Sequence, residues 1–304
     1  MTDDPRISIV LLTHNRPLEL ERTLRHLSAL PERPHLIVVD NASTPGVVNA
    51  ITGKFEGIDV VRSDRNLGAA GRNLGVAKVR TRYVAFCDDD TWWAPGSLAL
   101  ACDLMDRHAG VGALSARVLV GDRQEEDPTC QRMANSPLHG HNLPGPALIA
   151  FMAGAVVMLV DAFVGAGGYE PRLFLGAEEA LLALDMAAQG WQMAYVADMV
   201  LHHHPSPQRD NRARRIAVAR NRLWIAVMRL PWTGVWLHTR AVLRESRAGG
   251  FLLPFLKEAL SGLPWAIARR KVVPAKVYLM HHQVFCAGLE PATPTSRQAL
   301  NRLA

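Results

Sequence analysis

Short apolar runs that each end in polar residues recur along the first part of the chain. The runs are Ile7 to Leu12, Leu36 to Val39, Val60–Val61 and Tyr83 to Phe86. Their β-branched and aliphatic residues are typical of buried strands, and stretches of about 10–15 residues with helical character separate them. This alternation predicts an α/β fold with a mainly parallel sheet, which binds ligands beyond the carboxyl ends of its strands. Polar side chains follow these ends at Thr13, Asp40 and Asp88.

The pattern changes after about residue 207. Residues 1–206 carry 17 Lys and Arg against 24 Asp and Glu, whereas residues 207–304 carry 17 against 4. From Asn211 the chain is basic and rich in Trp and Leu, which predicts long helices. Prolines are expected to interrupt them at Pro231, Pro254, Pro264 and Pro274. We therefore expect an α/β domain over residues 1–206 and a basic helical extension over residues 207–304.

Composition places the chain among ordinary globular proteins, with 304 residues, 49% apolar and 20% charged. The four cysteines form no CxxC pair, so a reducing cytosol fits best. The start of the sequence lacks the basic and apolar regions of a signal peptide. The longest apolar stretch, Ala147 to Val164, contains Asp161 and is expected to form a strand followed by a helix. These features predict a cytoplasmic protein.

Three consecutive carboxylates, Asp88-Asp89-Asp90, follow one predicted strand. Their mutual repulsion favours a compensating cation, and a hard divalent cation held by one or two carboxylates usually also binds substrate phosphates. The alternative is that the triplet caps the following helix. The glycine-rich stretch Asn66 to Gly75, which contains Arg72, allows close approach of a phosphate or is a turn that leads into a helix. It lacks the terminal Gly-Lys-Ser/Thr of a P-loop.

Two further clusters carry potential chemistry. Glu178 and Glu179 precede an apolar helix from Ala180 to Ala188, where one could act as a general base or both could simply favour a helix N-terminus. His202-His203-His204 follows the apolar run Met199 to Leu201. An imidazole there could complete a metal site, or the tract could be an exposed loop. Residues 121–146 are rich in breakers and predict a long loop that could be a lid, an acceptor platform or disordered.

In their order these segments resemble the family 2 glycosyltransferases over roughly residues 7–204. The resemblance rests on residues 9–16, 38–43, 66–73 and 86–90, then on 152–155, 167–169, 174–179, 190–191 and 202–203. It implies a glycosyltransferase-A fold, a Rossmann-like sheet that uses a nucleotide sugar donor. The acidic pair looks like the Glu-Asp or Asp-Asp pair whose second residue is the base, here Glu179 with Glu178 beside it. The sequence departs from that pattern with Glu at the base and with Leu181 where a further Asp is usual.

The same resemblance implies the remaining site residues. Asp88, Asp90 and His203 are the expected ligands of Mn²⁺ or Mg²⁺, and Asp40 is expected to hydrogen-bond the base. The implied nucleotide-binding residues are Thr13, Asn15, Arg16, Asp40, Asn41, Asn66, Gly68, Arg72, Asn73, Asp88 and Asp89.

The sequence thus predicts a metal-dependent, inverting transferase that moves a sugar from a nucleoside diphosphate to a hydroxyl of a glycan or lipid-linked acceptor. Trp224, Trp232 and Trp236 among the arginines of the extension suggest binding to an anionic membrane, or helices packed on the catalytic domain with a solvated basic face. Three alternatives stay open: a retaining transferase, a metal-dependent nucleotidyltransferase, and a nucleic-acid-binding protein, which the calculated pI near 9.4 favours.

Overall fold

A parallel half-sheet forms the first part of the fold. The computed structural model describes residues 6–205 and 211–289. At its centre β1 (Ile7–Thr13) pairs in parallel with β2 (His35–Asp40) and β4 (Tyr83–Asp88), and β3 (Ile58–Arg62) extends β2. The register sets Thr13 beside Asp40 and Leu12 beside Asp88. The predicted strands and the grouping of their polar ends are confirmed.

The other half of the sheet is mixed. It contains β5 (Thr91–Trp93), β6 (Val111–Val120), β7 (Glu125–Glu126), β8 (Ala147–Leu148), β9 (Val156–Leu159) and β10 (Gln192–His203), and the strand order is β3-β2-β1-β4-β9-β6-β10-β5. Because β9 is antiparallel to both β4 and β6, and β10 is parallel to β6, the carboxyl end of β10 lies at the same edge as that of β4. The β10 register jumps between Val196, beside Ala116, and Val200, beside Arg117.

Seven helices flank the sheet in the described residues up to 205. They are α1 (Pro17–Ser28), α2 (Val47–Thr52), α3 (Gly71–Val76), α4 (Ser97–Arg107), α5 (Pro128–Ala134), α6 (Val160–Gly165) and α7 (Glu178–Ala188). Pro17 starts α1 where no backbone donor is needed, and Leu20, Leu24 and Leu27 bury its inner face. The strand and helix expected over 147–164 are present as β8, β9 and α6.

The expectation of a continuous loop over residues 121–146 is wrong in part. This segment contains β7 and α5. The Asp127 carboxylate accepts a hydrogen bond from the Thr129 amide at 2.7 Å and caps α5, while Cys130 is buried under it. The cap and the buried side chains of Cys130 and Met133 hold α5 in a segment whose glycines and prolines suggested irregular backbone.

Four long helices form the extension: α8 (Asn211–Arg229), α9 (Trp232–Ala248), α10 (Leu252–Ala268) and α11 (Ala275–Leu289). Pro231 and Pro274 precede α9 and α11 as expected, but Pro254 and Pro264 lie within α10. Pro254 occupies the first turn, where its missing N–H costs little, whereas Pro264 costs about 3 kcal/mol that packing must offset. That packing includes Gly262, where an added Cβ would lie against the Trp224 ring.

The extension packs on the catalytic half. The Arg229 guanidinium makes two hydrogen bonds to the Asp185 carboxylate of α7, at 2.5 and 2.9 Å. Trp224, Ala266 and Val277 join the same buried core as the sheet. The inner faces of these helices therefore belong to the fold of the whole chain. Within the described residues no helix combines the length and the apolar character needed to cross a bilayer.

Candidate active site

Hydrogen bonds join the loops that follow β1 and β2. The Asn15 amide donates to Ser43 Oγ at 3.0 Å, and Asn15 Oδ1 accepts from the Thr44 amide at 2.8 Å. His14 Nδ1 lies 2.9 Å from the Asn41 carbonyl. Asn15 adopts a positive φ of 53°, which asparagine tolerates better than most residues. These contacts fix one wall of the crevice at the strand ends.

The Asp40 carboxylate at the end of β2 is buried and already has partners. Its Oδ1 accepts a hydrogen bond from the Ser43 amide at 2.8 Å, and its Oδ2 pairs with Arg62. Arg62 also donates to the Ser43 carbonyl at 2.7 Å. The sequence analysis missed Arg62, although it ends β3 directly beside Asp40. Contact between Asp40 and the base stays a prediction, and any such contact would share the carboxylate with Arg62.

The glycine-rich loop is fixed from two sides. The Asn41 side chain donates to Asn66 Oδ1 at 2.9 Å and to the Gly68 carbonyl at 3.0 Å, and it accepts from the Leu67 amide at 2.9 Å. Gly68 has φ +59°, and a Cβ there would collide with the Phe174 backbone. Asn41, Asn66 and Gly68 thus shape this loop in the structure, and their contact with the nucleotide stays a prediction.

The buried Arg72 and the partly exposed Asp88 form the centre of the crevice. Arg72 is 2% exposed, pairs with the Asp88 carboxylate and lies 5.6 Å from the centre of the Tyr169 ring. Its Nε has no hydrogen-bond partner among the described residues. A Cβ on Gly154 would lie 2.5 Å from Asp88 Oδ2, so this glycine makes room for the carboxylate. Arg72 keeps a free donor for an anionic ligand.

Asn73 binds the backbone of a neighbouring loop. Its Nδ2 donates to the Tyr169 carbonyl at 2.8 Å, and its Oδ1 accepts from the Tyr169 amide at 2.9 Å. These two bonds hold Tyr169, which stacks against Arg72. Asn73 therefore positions Tyr169, and its place beside the donor stays a prediction.

Arginines compensate the acidic triplet. Thr13 Oγ1 donates to Asp89 Oδ2 at 2.9 Å, while Arg16 Nη1 lies 3.1 Å from Asp89 Oδ1 and 3.4 Å from Asp90 Oδ2. Burial is the main cause that raises the pKa of Asp89 to about 7, with Asp90 adding to it against Arg16. Arg16 and Arg72 thus supply two positive charges beside the three carboxylates, and the cation expected from the sequence stays a prediction.

Asp90 and His203 face each other across the last strand pair. His203 Nε2 lies 3.7 Å from Asp90 Oδ1, and the His204 amide donates to the Asp90 carbonyl at 2.9 Å. The pairing of β5 with β10, which sets Thr91 beside His203, fixes this approach. Two ligands of an octahedral cation, each at about 2.1 Å, lie about 3.0 Å apart when cis and about 4.2 Å apart when trans. At 3.7 Å, a small side-chain movement would let this pair hold one divalent ion that takes its other ligands from water and phosphates.

Asp88 is not joined to this pair. In residues 6–205 and 211–289, no group of three or more His, Cys, Asp and Glu side chains is arranged to hold a metal ion. Asp88 pairs with Arg72 in the structure, so the predicted ligand set of Asp88, Asp90 and His203 stays a prediction. Asp90 and His203 remain the candidate metal ligands.

The acidic pair opens α7 beside this centre. Glu178 is buried, and its Oε2 has no hydrogen-bond partner among the described residues, while Glu179 is half-buried. Burial raises the pKa of Glu178. Burial first, and then the Glu178 charge, raise the pKa of Glu179 to about 8. The N-terminus of a helix favours the ionised forms, which opposes these shifts.

An asparagine of the extension holds the loop before this pair. Asn221 of α8 donates to the carbonyls of Leu173 at 2.8 Å and Gly176 at 2.6 Å. No sequence motif marks Asn221, because a single asparagine in a helical stretch is common. The extension thus positions the acidic pair from outside the part of the chain that carries the motifs.

This Rossmann-like sheet, with carboxylates at its strand ends and an acidic pair at a helix start, defines a glycosyltransferase of the glycosyltransferase-A fold. The chain belongs to glycosyltransferase family 2, because the model described as glycosyl transferase family 2 matches residues 8–163, more than half of it. The resemblance inferred from the motifs is confirmed, and the chain is a sugar-transferring enzyme.

Relatives of known name agree with this assignment. The N-acetylglucosaminyl-diphospho-decaprenol L-rhamnosyltransferase of Mycobacterium tuberculosis is 24% identical over 234 residues, 65% of this chain and 76% of the relative. Mannosyltransferase PcManGT from Pyrobaculum calidifontis, solved with GDP-Man and Mn²⁺, superposes with a TM-score of 0.58 at 19% identity, over 99% of this chain and 80% of that one. S. aureus TarS 1–349 in complex with UDP-GlcNAc superposes with a TM-score of 0.60 at 15% identity, over 91% of this chain and 87% of that one. At these identities the two structures establish the fold alone.

Proposed function

We propose that this enzyme transfers a sugar from a nucleoside diphosphate donor to an acceptor hydroxyl with inversion at the anomeric carbon. The observation that carries the proposal is the position of Glu178 and Glu179 beside the ion pair of the buried Arg72 with Asp88. It brings a desolvated carboxylate next to an arginine with a free donor, which are the groups needed to activate a nucleophile and to hold an anion.

Glu179 is the general base in this proposal. A base works best when its pKa lies near the pH of the reaction, and the pKa of Glu179 is raised to about 8. The acceptor hydroxyl gives its proton to Glu179 as its oxygen bonds to the anomeric carbon, and the nucleoside diphosphate leaves with the bonding electrons. Glu178 raises the pKa of this base and offers Oε2 to a sugar hydroxyl.

The donor lies over the strand ends. Thr13, Asn15 and Arg16 line the nucleotide side, and Arg72 takes an anionic or hydroxyl group at the floor. Asp90 and His203 would hold Mn²⁺ or Mg²⁺, and such a cation, when bound, neutralises the departing diphosphate. Uridine or deoxythymidine is the proposed nucleoside of the donor.

The acceptor is a glycan or a lipid-linked sugar. The relative from Mycobacterium tuberculosis is named for L-rhamnosyl transfer to N-acetylglucosaminyl-diphospho-decaprenol. The match supports a deoxyhexose or hexose donor and a lipid-linked acceptor for this chain. The proposal therefore places the enzyme in the cytoplasm, at the inner face of the plasma membrane.

Thermal stability with a panel of nucleoside diphosphates, with and without Mn²⁺, tests the donor site. We expect one nucleotide to raise Tm in a metal-dependent manner in the wild type and in the Asp161→Asn control, whose exposed carboxylate is on α6. Asp90→Asn should lose that rise. If the nucleotide raises Tm by the same amount in Asp90→Asn as in the wild type, Asp90 is not part of the site. If no nucleotide raises Tm, the result counts against a nucleoside diphosphate donor.

The reaction itself separates the other possibilities. Incubation with the nucleotide sugar that stabilises the protein, and with a glycan acceptor, should release nucleoside diphosphate and give a product of opposite anomeric configuration. Retention of configuration would contradict single displacement, and release of pyrophosphate would indicate a nucleotidyltransferase.

A further inference from the structure

The outer face of α9 exposes two tryptophans. Trp232 is 64% exposed and Trp236 is 57% exposed, one turn apart at the start of the helix. Farther along the same face lie Arg240, Leu243 and Arg247, at the spacing of one helical stripe. The opposite face of α9 is buried by Gly234, His238 and Val242. Large aromatic side chains outside any core indicate a contact surface.

The neighbouring helix exposes a second stripe. Leu253, Leu260 and Ile267 are seven residues apart on α10 and are between 52% and 78% exposed. Phe255 and Ala259 bury the other side of this helix. Spacing of seven residues keeps side chains on one side of a helix, so the three form an apolar line along α10.

Arg270 joins the two stripes at one end. It follows α10, three residues after Ile267, and its guanidinium lies 4.1 Å from the centre of the Trp232 ring. It also donates to the Leu230 carbonyl at 2.8 Å, which fixes its position. The start of α9 and the end of α10 therefore meet at Arg270. We call the exposed residues of the two helices the α9–α10 face: Trp232, Trp236, Leu253, Leu260 and Ile267 with the arginines beside them.

The charge on this face is positive. Arg240 lies 4.4 Å from the centre of the Trp236 ring, and Arg240, Leu243, Arg244 and Arg247 line a shallow depression. No carboxylate of residues 6–205 or 211–289 forms an ion pair with these three arginines. Cations that flank exposed tryptophan and leucine suit a surface that is anionic outside and apolar beneath.

We infer that the α9–α10 face binds the surface of an anionic lipid bilayer, with Arg240, Arg244 and Arg247 at the phosphates and the tryptophans at the interface. A nucleic acid would use the arginines but would leave the leucine and isoleucine stripe in water. The inference deepens the proposed function and rests on it for the lipid-linked acceptor, since it names the surface that brings the enzyme to such a substrate.

Sedimentation with vesicles tests the inference on the full chain. We expect binding to phosphatidylcholine vesicles that contain phosphatidylglycerol, and little to phosphatidylcholine alone. Replacing Arg240, Arg244 and Arg247 by Gln should lower the partition coefficient on the order of 100-fold, at about fivefold per cation. Trp236→Ser should lower it about tenfold through lost apolar contact.

Matched controls remove the same features elsewhere. One control replaces Arg33, Arg80 and Arg123, which are exposed on the catalytic half, by Gln, so the net charge changes by the same amount as in the first triplet. The other control, Val164→Ser, removes an exposed apolar side chain of α6. Binding in these variants should equal wild type. Sugar transfer to a water-soluble acceptor, measured separately, should be unchanged in every variant. The vesicle result therefore stands even if the proposed sugar transfer fails.

Three outcomes would overturn the inference. If the wild-type protein binds neither kind of vesicle, the face does not bind lipid. An equal loss in the control arginine triplet would assign binding to net charge alone. The third outcome is a different partner for this face. Either light scattering shows a dimer that Trp236→Ser abolishes, or a DNA duplex binds through the same three arginines while vesicles do not bind.

Discussion

The pH dependence of sugar transfer should depend on the charge of Glu178. In wild type the pKa of Glu179 is raised to about 8, by burial and then by Glu178. A base acts when it is ionised, so kcat/KM should rise as pH rises through that value. At pH 7, one unit below, roughly a tenth of the enzyme carries the ionised base. The rate at pH 7 should therefore be about a tenth of its plateau at high pH.

Glu178→Gln removes the neighbouring charge but keeps the shape. Loss of a like charge lowers the pKa of Glu179, on the order of one pH unit. The rising limb of kcat/KM should move to lower pH by that amount, whatever happens to the plateau. Glu179→Gln should instead remove about 10²–10⁴-fold of kcat at every pH while nucleotide binding persists.

Initial rates measured from about pH 6 to about pH 10 at constant ionic strength, with saturating and with limiting acceptor, would give kcat and kcat/KM for the two variants. A limb that stays in place in Glu178→Gln would refute the electrostatic coupling of the pair. Glu179→Gln with near wild-type kcat would reassign the base.

Three further predictions concern the supports of the site. Asn73→Ala leaves the amide and carbonyl of Tyr169 without their partners, so urea denaturation should show about 2–4 kcal/mol lower stability; an unchanged midpoint would contradict the positioning role. Gly154→Ala places a Cβ 2.5 Å from Asp88 Oδ2, and calorimetry should show nucleotide affinity at least about tenfold weaker, whereas equal affinity would remove Asp88 from the donor site. Burial lowers the pKa of His238 to about 3, so between about pH 6.5 and pH 3 the unfolded state binds more protons than the folded state. Lowering the pH through this range should therefore lower the free energy of unfolding by about 1.4 kcal/mol per pH unit. His238→Phe should make this dependence less steep, and an equally steep dependence would refute this cause.

The sequence was informative where a local pattern decides the structure. The apolar runs of β1, β2 and β4 and the polar residues that follow them predicted the sheet edge and its crevice. Strand β6 was missed because Gly112, Ser115 and Arg117 dilute its apolar pattern, although the sheet buries most of it. Its strand conformation comes from pairing with β9 and β10, which no local pattern shows.

Pairings between distant residues account for the differences at the site. The carboxylates at residues 88–90 looked uncompensated in the sequence, because the motif does not show that Arg16, just before α1, and Arg72 of α3 reach them. The same limit applies to Arg62 beside Asp40 and to Asn221 behind the acidic pair. Such contacts depend on the order of strands and helices in space, which the spacing of motifs along the chain does not specify.

The three consecutive histidines at the end of β10, His202 to His204, would tolerate a change of one residue in the length of the strand at its register jump. The jump lies between Val196 and Val200, upstream of His203, so a residue lost or gained there would advance or retard every later residue by one place in the ladder. After a deletion His204 would occupy the place opposite Asp90, and after an insertion His202 would. In either case an imidazole still faces the carboxylate, so the repetition of one residue type protects the site against a slip of its own strand.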